Sequence, residues 1–154
     1  MSTVTHDTFA LERTYPTSPE RVFAAWASSE AKARWFGEDD EFEKTDAHTL
    51  DLREGGRERF AGIAPGGTPV TYDAVYEDIV DGDRIVLSYG MHMGGRRISV
   101  SLMTVEIAGV PGGARLVLTE QDTFLDGLDN VEQRRGGTEQ LLEKLGAFLA
   151  GPST

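Results

Sequence analysis

In the stretch LVLTE, residues 116–120, two apolar side chains at alternate positions, Leu116 and Leu118, lead to a carboxylate, Glu120. Strand residues two apart share a face, so a strand here would hold an acid at the margin of an apolar surface. If the preceding hairpin closes around residues 110–112, then Val105, Met103 and Ser101 stand across from Leu116, Leu118 and Glu120. A carboxyl group buried there has a raised pKa unless Arg57, Arg59 or Arg134 pairs with it. Such a group can anchor a ligand or act as a general acid or base. Its other readings are a structural ion pair or a solvent-facing side chain, and a slip of one residue in register would turn it outward. Around it the sequence supplies large candidates for an apolar wall: Trp35, Phe36, Phe60, Tyr72, Tyr76, Tyr89, Met91, Met103, Leu116 and Leu118. These either fill a core or line a pocket. Buried tyrosine hydroxyls require partners, so several inward tyrosines favour an occupied or hydrated space.

Other chemistries are poorly supported. His6, His48 and His92 show no metal-ligand spacing and no HExxH pattern. No serine stands in a GxSxG context. The glycine pairs at 55–56, 66–67, 94–95, 112–113 and 136–137 lack the phosphate-loop and dinucleotide patterns. The chain has no cysteine, which excludes disulfides and thiolate catalysis. The acidic run 37–44, GEDDEFEK, reads as a solvated loop rather than a metal site. No metal and no cofactor is expected.

The elements that would position these residues follow from pattern. A strand is expected over 8–15, ended by Pro16. Ser18 caps a short helix with Pro19 at its first position and Val22, Phe23 and Trp26 as its apolar stripe. Ser29 caps a second, ending at Gly37. Further strands are expected over 47–53, 57–63, 70–80 with an irregularity before Ile79, 84–93, 96–107 and 114–123. Gly94-Gly95 marks a two-residue hairpin. Residues 126–150 read as one long helix. Leu141, Leu142, Leu145, Phe148 and Leu149 repeat at three- and four-residue spacing on its second half. Its first half is polar or small, and from it Arg134 and Thr138 join the candidate site. Gly136 and Gly137 within that helix cost about 1 kcal/mol each relative to alanine. They either enlarge a cavity or let the sheet approach closely.

The 154 residues fit a single domain over 1–154. A hydrophobic fraction of 39% and a charged fraction of 27% are those of an ordinary globular chain. A net charge of −11 repels phosphate backbones, so no nucleic-acid partner is expected. No run approaches the ~18 apolar residues of a membrane span, and no secretory signal pattern is present, so no membrane association and a cytoplasmic location are expected. The apolar outer positions Val100, Leu102 and Val117 suit a homodimer contact. The class is α+β: a curved antiparallel sheet of six to seven strands around a long C-terminal helix, with two short helices after the first strand.

That order resembles the START-like or Bet v 1-like helix-grip superfamily, SRPBCC. Within it the chain resembles the bacterial branch similar to the C-terminal domain of the activator of heat-shock-protein-90 ATPase. The resemblance is carried by SPERVF at 18–23 with Trp26, RWFG at 34–37, DLREGG at 51–56, YEDI at 76–79 and SVSL at 99–102. It continues through TEQ at 119–121, FLDG at 124–127, Arg135, Gly137-Thr138 and Leu141-Leu142. The resemblance implies a cavity between sheet and helix that holds a hydrophobic or aromatic molecule, with no catalytic residue assigned. It also admits a cyclase- or hydrolase-like enzyme using the cavity, with Glu120, Tyr89 or His92 as acid or base. A third implication is a stress-related or chaperone-accessory interaction protein. Relatives often carry Gly-Trp where this chain has Gly136-Gly137.

Overall fold

The computed structural model describes residues 2–36 and 43–152. Gly37 and most of the acidic run 37–44 lie outside them. Alternation of inward apolar and outward polar residues builds β1 (Val4–Tyr15), β4 (Arg57–Ile63), β5 (Pro69–Val80), β6 (Arg84–Met93), β7 (Arg96–Val110) and β8 (Gly113–Leu125), with two-residue strands β2 (Glu43–Lys44) and β3 (Thr49–Leu50). All pair antiparallel in one open sheet, β1-β8-β7-β6-β5-β4-β2, with β3 also on β4. Between β1 and β2 lie α1 (Pro19–Ala27) and α2 (Ser29–Trp35), and α3 (Val131–Leu149) closes the chain.

Four expectations are corrected. The strand 47–53 shrinks to Thr49–Leu50, because the chain turns at Asp51: its carbonyl accepts from Arg53 N at 3.0 Å, and Gly56 N folds back to Arg53 O at 2.8 Å. The second short helix is capped by Ser28, not Ser29; Ser28 Oγ accepts from Ala31 N at 3.2 Å. The long helix begins at Val131 rather than at 126, because Asp126 (φ 57°) and Gly127 (φ 67°) are left-handed. Asn130 is the cap, its side chain accepting from Gln133 N at 3.0 Å. Finally, the last hairpin is two residues out from the expected register: Val105 pairs Leu118, Met103 pairs Glu120 and Ser101 pairs Asp122. An even shift keeps every side chain on its face, so Glu120 still points inward.

Two irregularities shape the sheet. Pairing of β5 with β6 shifts between Tyr76 and Asp78. Pairing of β6 with β7 shifts at Met91 and His92, leaving Ile98 as the extra residue of β7. Ile98 and Ser99 are therefore both buried, although they are sequence neighbours. At the Gly94-Gly95 hairpin both residues have positive φ, 60° and 79°, as a tight primed turn requires.

The helix α3 is held over the concave face at its C-terminal half. Leu142, Leu145 and Leu149 enter the core with Trp26, Leu116 and Leu118. Tyr15 Oη donates to Leu142 O at 2.9 Å, and Gly146 lets the Tyr15 ring lie where an added Cβ would stand 3.2 Å from Cε1. Burial pushes the Tyr15 hydroxyl up to about 12, so it stays a donor. Arg21 of α1 donates to the carbonyls of Leu149 and, at 3.1 Å, Gly151, a cation at the helix's negative end. The N-terminal half stands off the sheet.

Candidate functional site

Where α3 stands off the sheet a cavity of about 420 Å³ opens, within the size range of small-molecule pockets. Alternate inward residues of the strands build one wall: Phe60 on β4, Val70 and Tyr72 on β5, Tyr89, Met91 and Met93 on β6. Ile98, turned inward by the β7 irregularity, and Met103 extend it. Phe36, just past α2, closes one side and packs on Tyr72 with ring centroids 5.0 Å apart. The helical wall comes from Gln133, Arg134, Gly137, Thr138 and Leu141, one face of α3, with Leu128 and Asp129 before it.

Of the thirteen candidates, Phe36, Phe60, Tyr72, Tyr89, Met91, Met103, Arg134 and Thr138 lie on this cavity. The other five, Trp35, Tyr76, Leu116, Leu118 and Glu120, do not. Trp35 packs edge-on against Trp26, centroids 4.8 Å apart, and its indole N–H donates to Ala25 O at 3.1 Å, so it joins the two short helices. Leu116 and Leu118 are fully enclosed in the core. Tyr76 is turned to a separate buried network described below. Glu120 lies behind the wall and reaches the cavity only through Tyr89 and Arg134. His92 alternates with Met91 and Met93 and so faces the other side of the sheet. Among the described residues no group of three His, Asp or Glu is placed to hold a metal ion.

The polar end of the cavity is organised by Arg134, 8% exposed. Its Nη1 donates to Tyr89 Oη at 2.9 Å, Glu120 Oε1 at 3.0 Å and Ser101 Oγ at 3.1 Å. Its Nη2 donates to Ser99 Oγ at 2.6 Å and Asp129 Oδ2 at 2.8 Å. Tyr89 Oη in turn donates to Glu120 Oε1. Asp122 follows Glu120 on the same face of β8, with Oδ1 3.4 Å from Arg134 Nη1. Two buried oxygens remain without partners, Glu120 Oε2 and Asp122 Oδ2. One proton held on Glu120 and directed to Asp122 satisfies both. Burial and the adjacent Asp122 carboxylate push Glu120 up to about 8, against the opposing pull of Arg134 and Tyr89. Burial, then the Glu120 charge, pushes the Tyr89 hydroxyl well above its usual range. The shift favours the protonated form of Glu120 at pH 7. The Tyr72 hydroxyl makes no hydrogen bond to another described residue and opens on the cavity.

A second network lies behind Phe36. Glu58 Oε1 accepts from Lys32 Nζ and Tyr76 Oη, each at 2.8 Å, and Oε2 is 2.7 Å from His48 Nε2. The Lys32 ammonium also lies 4.8 Å from the Phe36 ring centre and 5.1 Å from that of Trp26. Burial alone would raise Glu58, but the Lys32 charge and the hydrogen bonds from His48, Lys32 and Tyr76 outweigh it and hold the carboxyl at about 2. His48 stacks on Phe36, centroids 5.8 Å apart, so this network fixes the aromatic side of the cavity.

Sequence reasoning missed Val70, Met93, Ile98, Leu128, Asp129 and Gln133 as wall residues, and Ser99 and Asp122 as partners of Arg134. Asp122 continues the alternation 116, 118, 120 and could have been read from it. Ile98 could not, since only the irregularity turns it inward. Leu141, which shares the helical spacing of Leu142, Leu145, Phe148 and Leu149, packs at the margin of the core and lines the cavity.

An open antiparallel sheet gripping a helix around an internal pocket defines a helix-grip protein. The sequence model of the family described as Activator of Hsp90 ATPase homolog 1-like protein matches residues 16–150, and the chain belongs to that family. An uncharacterized protein from Rhizobium leguminosarum is 41% identical over 97% of this chain and 98% of its own, with a TM-score of 0.92. The Mll3558 protein from Rhizobium loti is 43% identical over 95% of this chain and 99% of its own, with a TM-score of 0.86. DynU16, a protein in the dynemicin biosynthetic locus, shares the fold at 17% identity and a TM-score of 0.65, covering 94% of this chain and 47% of its own. No curated protein matches the sequence. Among the described residues no helix is long and apolar enough to cross a membrane.

Proposed function

We propose that the protein holds a small apolar or aromatic molecule between the sheet and the first half of α3. The observation that carries this reading is the cavity of about 420 Å³ with aromatic and methionine walls and a Tyr72 hydroxyl that has no hydrogen-bond partner among the described residues. A sealed core would not leave that hydroxyl without a partner. Native mass spectrometry of freshly purified protein tests it. A retained small molecule that leaves on denaturation is the expected result; bare protein that also fails to take up aromatic probes contradicts it.

A second reading is a cyclase-like enzyme in the same cavity. It is favoured by Tyr89, which lines the cavity while its hydroxyl bridges Arg134 and the neutral acid Glu120. Tyr89 could then give its proton to a bound enolate and take one back from Glu120, leaving the enol and the Glu120 carboxylate. Tyr89→Phe would abolish turnover of a keto–enol substrate while retaining its binding; unchanged turnover would discard the reading.

A further inference from the structure

The polar end of the cavity has one cation and an excess of acceptors. Arg134 is the one basic side chain on the cavity wall among the described residues, and both its terminal nitrogens are committed inside the protein. Nη1 carries two hydrogens and faces Tyr89, Ser101, Glu120 and Asp122; Nη2 carries two and faces Ser99 and Asp129. The Tyr89 hydrogen goes to Glu120, and the Thr138 hydroxyl donates to Arg134 O at 2.8 Å. Even with a proton on Glu120, one guanidinium stands against two carboxylates, Asp122 and Asp129, and Asp129 is itself on the cavity wall. An anionic ligand would meet this net negative end with no free hydrogen on Nη1 or Nη2; of the guanidinium, the single Nε–H is without a partner among the described residues. To make a two-point pair with the terminal nitrogens it would have to displace an internal carboxylate and leave that one buried and unpaired. The groups left for a ligand are that one Nε–H, the Tyr72 hydroxyl, the Gln133 amide and the outer side of Asp129.

From this committed arginine we infer that the cavity selects neutral or cationic aromatic molecules that carry a hydrogen-bond donor, and rejects carboxylates. The inference rests on reading the cavity as the ligand site. Three probes with one aromatic body test it by fluorescence titration at pH 7: 2-naphthol, 2-naphthylmethylammonium and 2-naphthoate. The naphthol and the ammonium are expected to bind at least about tenfold more tightly than the naphthoate, the scale of one unpaired buried charge spread by solvent. Asp129→Asn keeps an acceptor for Asn130 N and removes one negative charge, so it should recover naphthoate binding several-fold. Gln133→Glu, at an exposed position on the mouth, should tighten the ammonium and weaken the naphthoate further. Naphthoate binding as tightly as naphthol, or variants that leave the ratio unchanged, would overturn the charge rule while leaving the cavity as a binding site. Failure of all three probes to bind would overturn both.

Discussion

Glu58 and Glu120 are the same residue type, both wholly buried, yet they stand on opposite sides of the usual carboxylate range. The difference lies in how many acids share each cation. Glu58 has Lys32 to itself and also receives His48 and Tyr76, so it stays ionised. Glu120 shares Arg134 with Asp122 and Asp129, so it holds a proton. The stability consequences have opposite signs. The pKa of Glu58 is lowered from 4.5 to about 2, so its contribution is present above pH 4.5 and is lost as pH falls through 2. That of Glu120 is raised from 4.5 to about 8, so its contribution is present below pH 4.5 and is lost as pH rises through 8. Urea unfolding at pH 5, 7 and 9 should therefore show stability falling with pH, and Glu120→Gln, whose amide can donate to Asp122, should flatten that fall. An unchanged slope would refute the shared proton. Glu58→Gln strands the Lys32 ammonium and should cost about 3–5 kcal/mol, measured by the same unfolding curves. Neither network could be read from the sequence in full: the chain brings Lys32, His48, Glu58 and Tyr76 together from four separate segments.

At the scale of elements, α3 divides between clamp and wall. Leu142, Leu145 and Leu149 are buried in the core, and Leu145→Ala should lose about 2–5 kcal/mol in a denaturant titration. Three- and four-residue spacing was enough to find these positions. The same spacing could not tell Leu141, on the cavity, from Leu142, in the core, because that depends on where the sheet falls away from the helix. The start of α3 was hidden for a different reason: Asp129 and Asn130 are polar residues of the kind found both inside helices and before them, and the left-handed turn at Asp126 and Gly127 decides between these. The glycine pair is resolved by the structure. A Cβ added at Gly136 or Gly137 meets nothing within 4 Å, so neither serves close packing against the sheet. Gly136→Ala should then raise stability by about 1 kcal/mol, seen as a higher melting temperature with probe binding unaltered.

For the molecule as a whole, the sequence carried the fold well, since hydrophobic alternation, glycine turns and the final amphipathic helix agree with one another. The short edge strands β2 and β3 were less legible because pairing of two residues leaves almost no pattern. The cavity was half legible. Its aromatic wall follows from strand alternation, but its volume follows from what is absent, a side chain at Gly137 on the mouth. That makes Gly137 the sharpest handle on the proposed function. A leucine there, one turn before Leu141 on the cavity-lining face of α3, meets open space and does not strain the helix backbone, and it removes the helical cost of glycine. The most direct measurement is a 2-naphthol titration of the wild-type protein and Gly137→Leu, each accompanied by its thermal unfolding curve. The cavity account predicts saturable binding to the wild type, a loss of at least about tenfold in the variant, and a melting temperature equal or higher. Equal binding by the two proteins, with both folded, would contradict it.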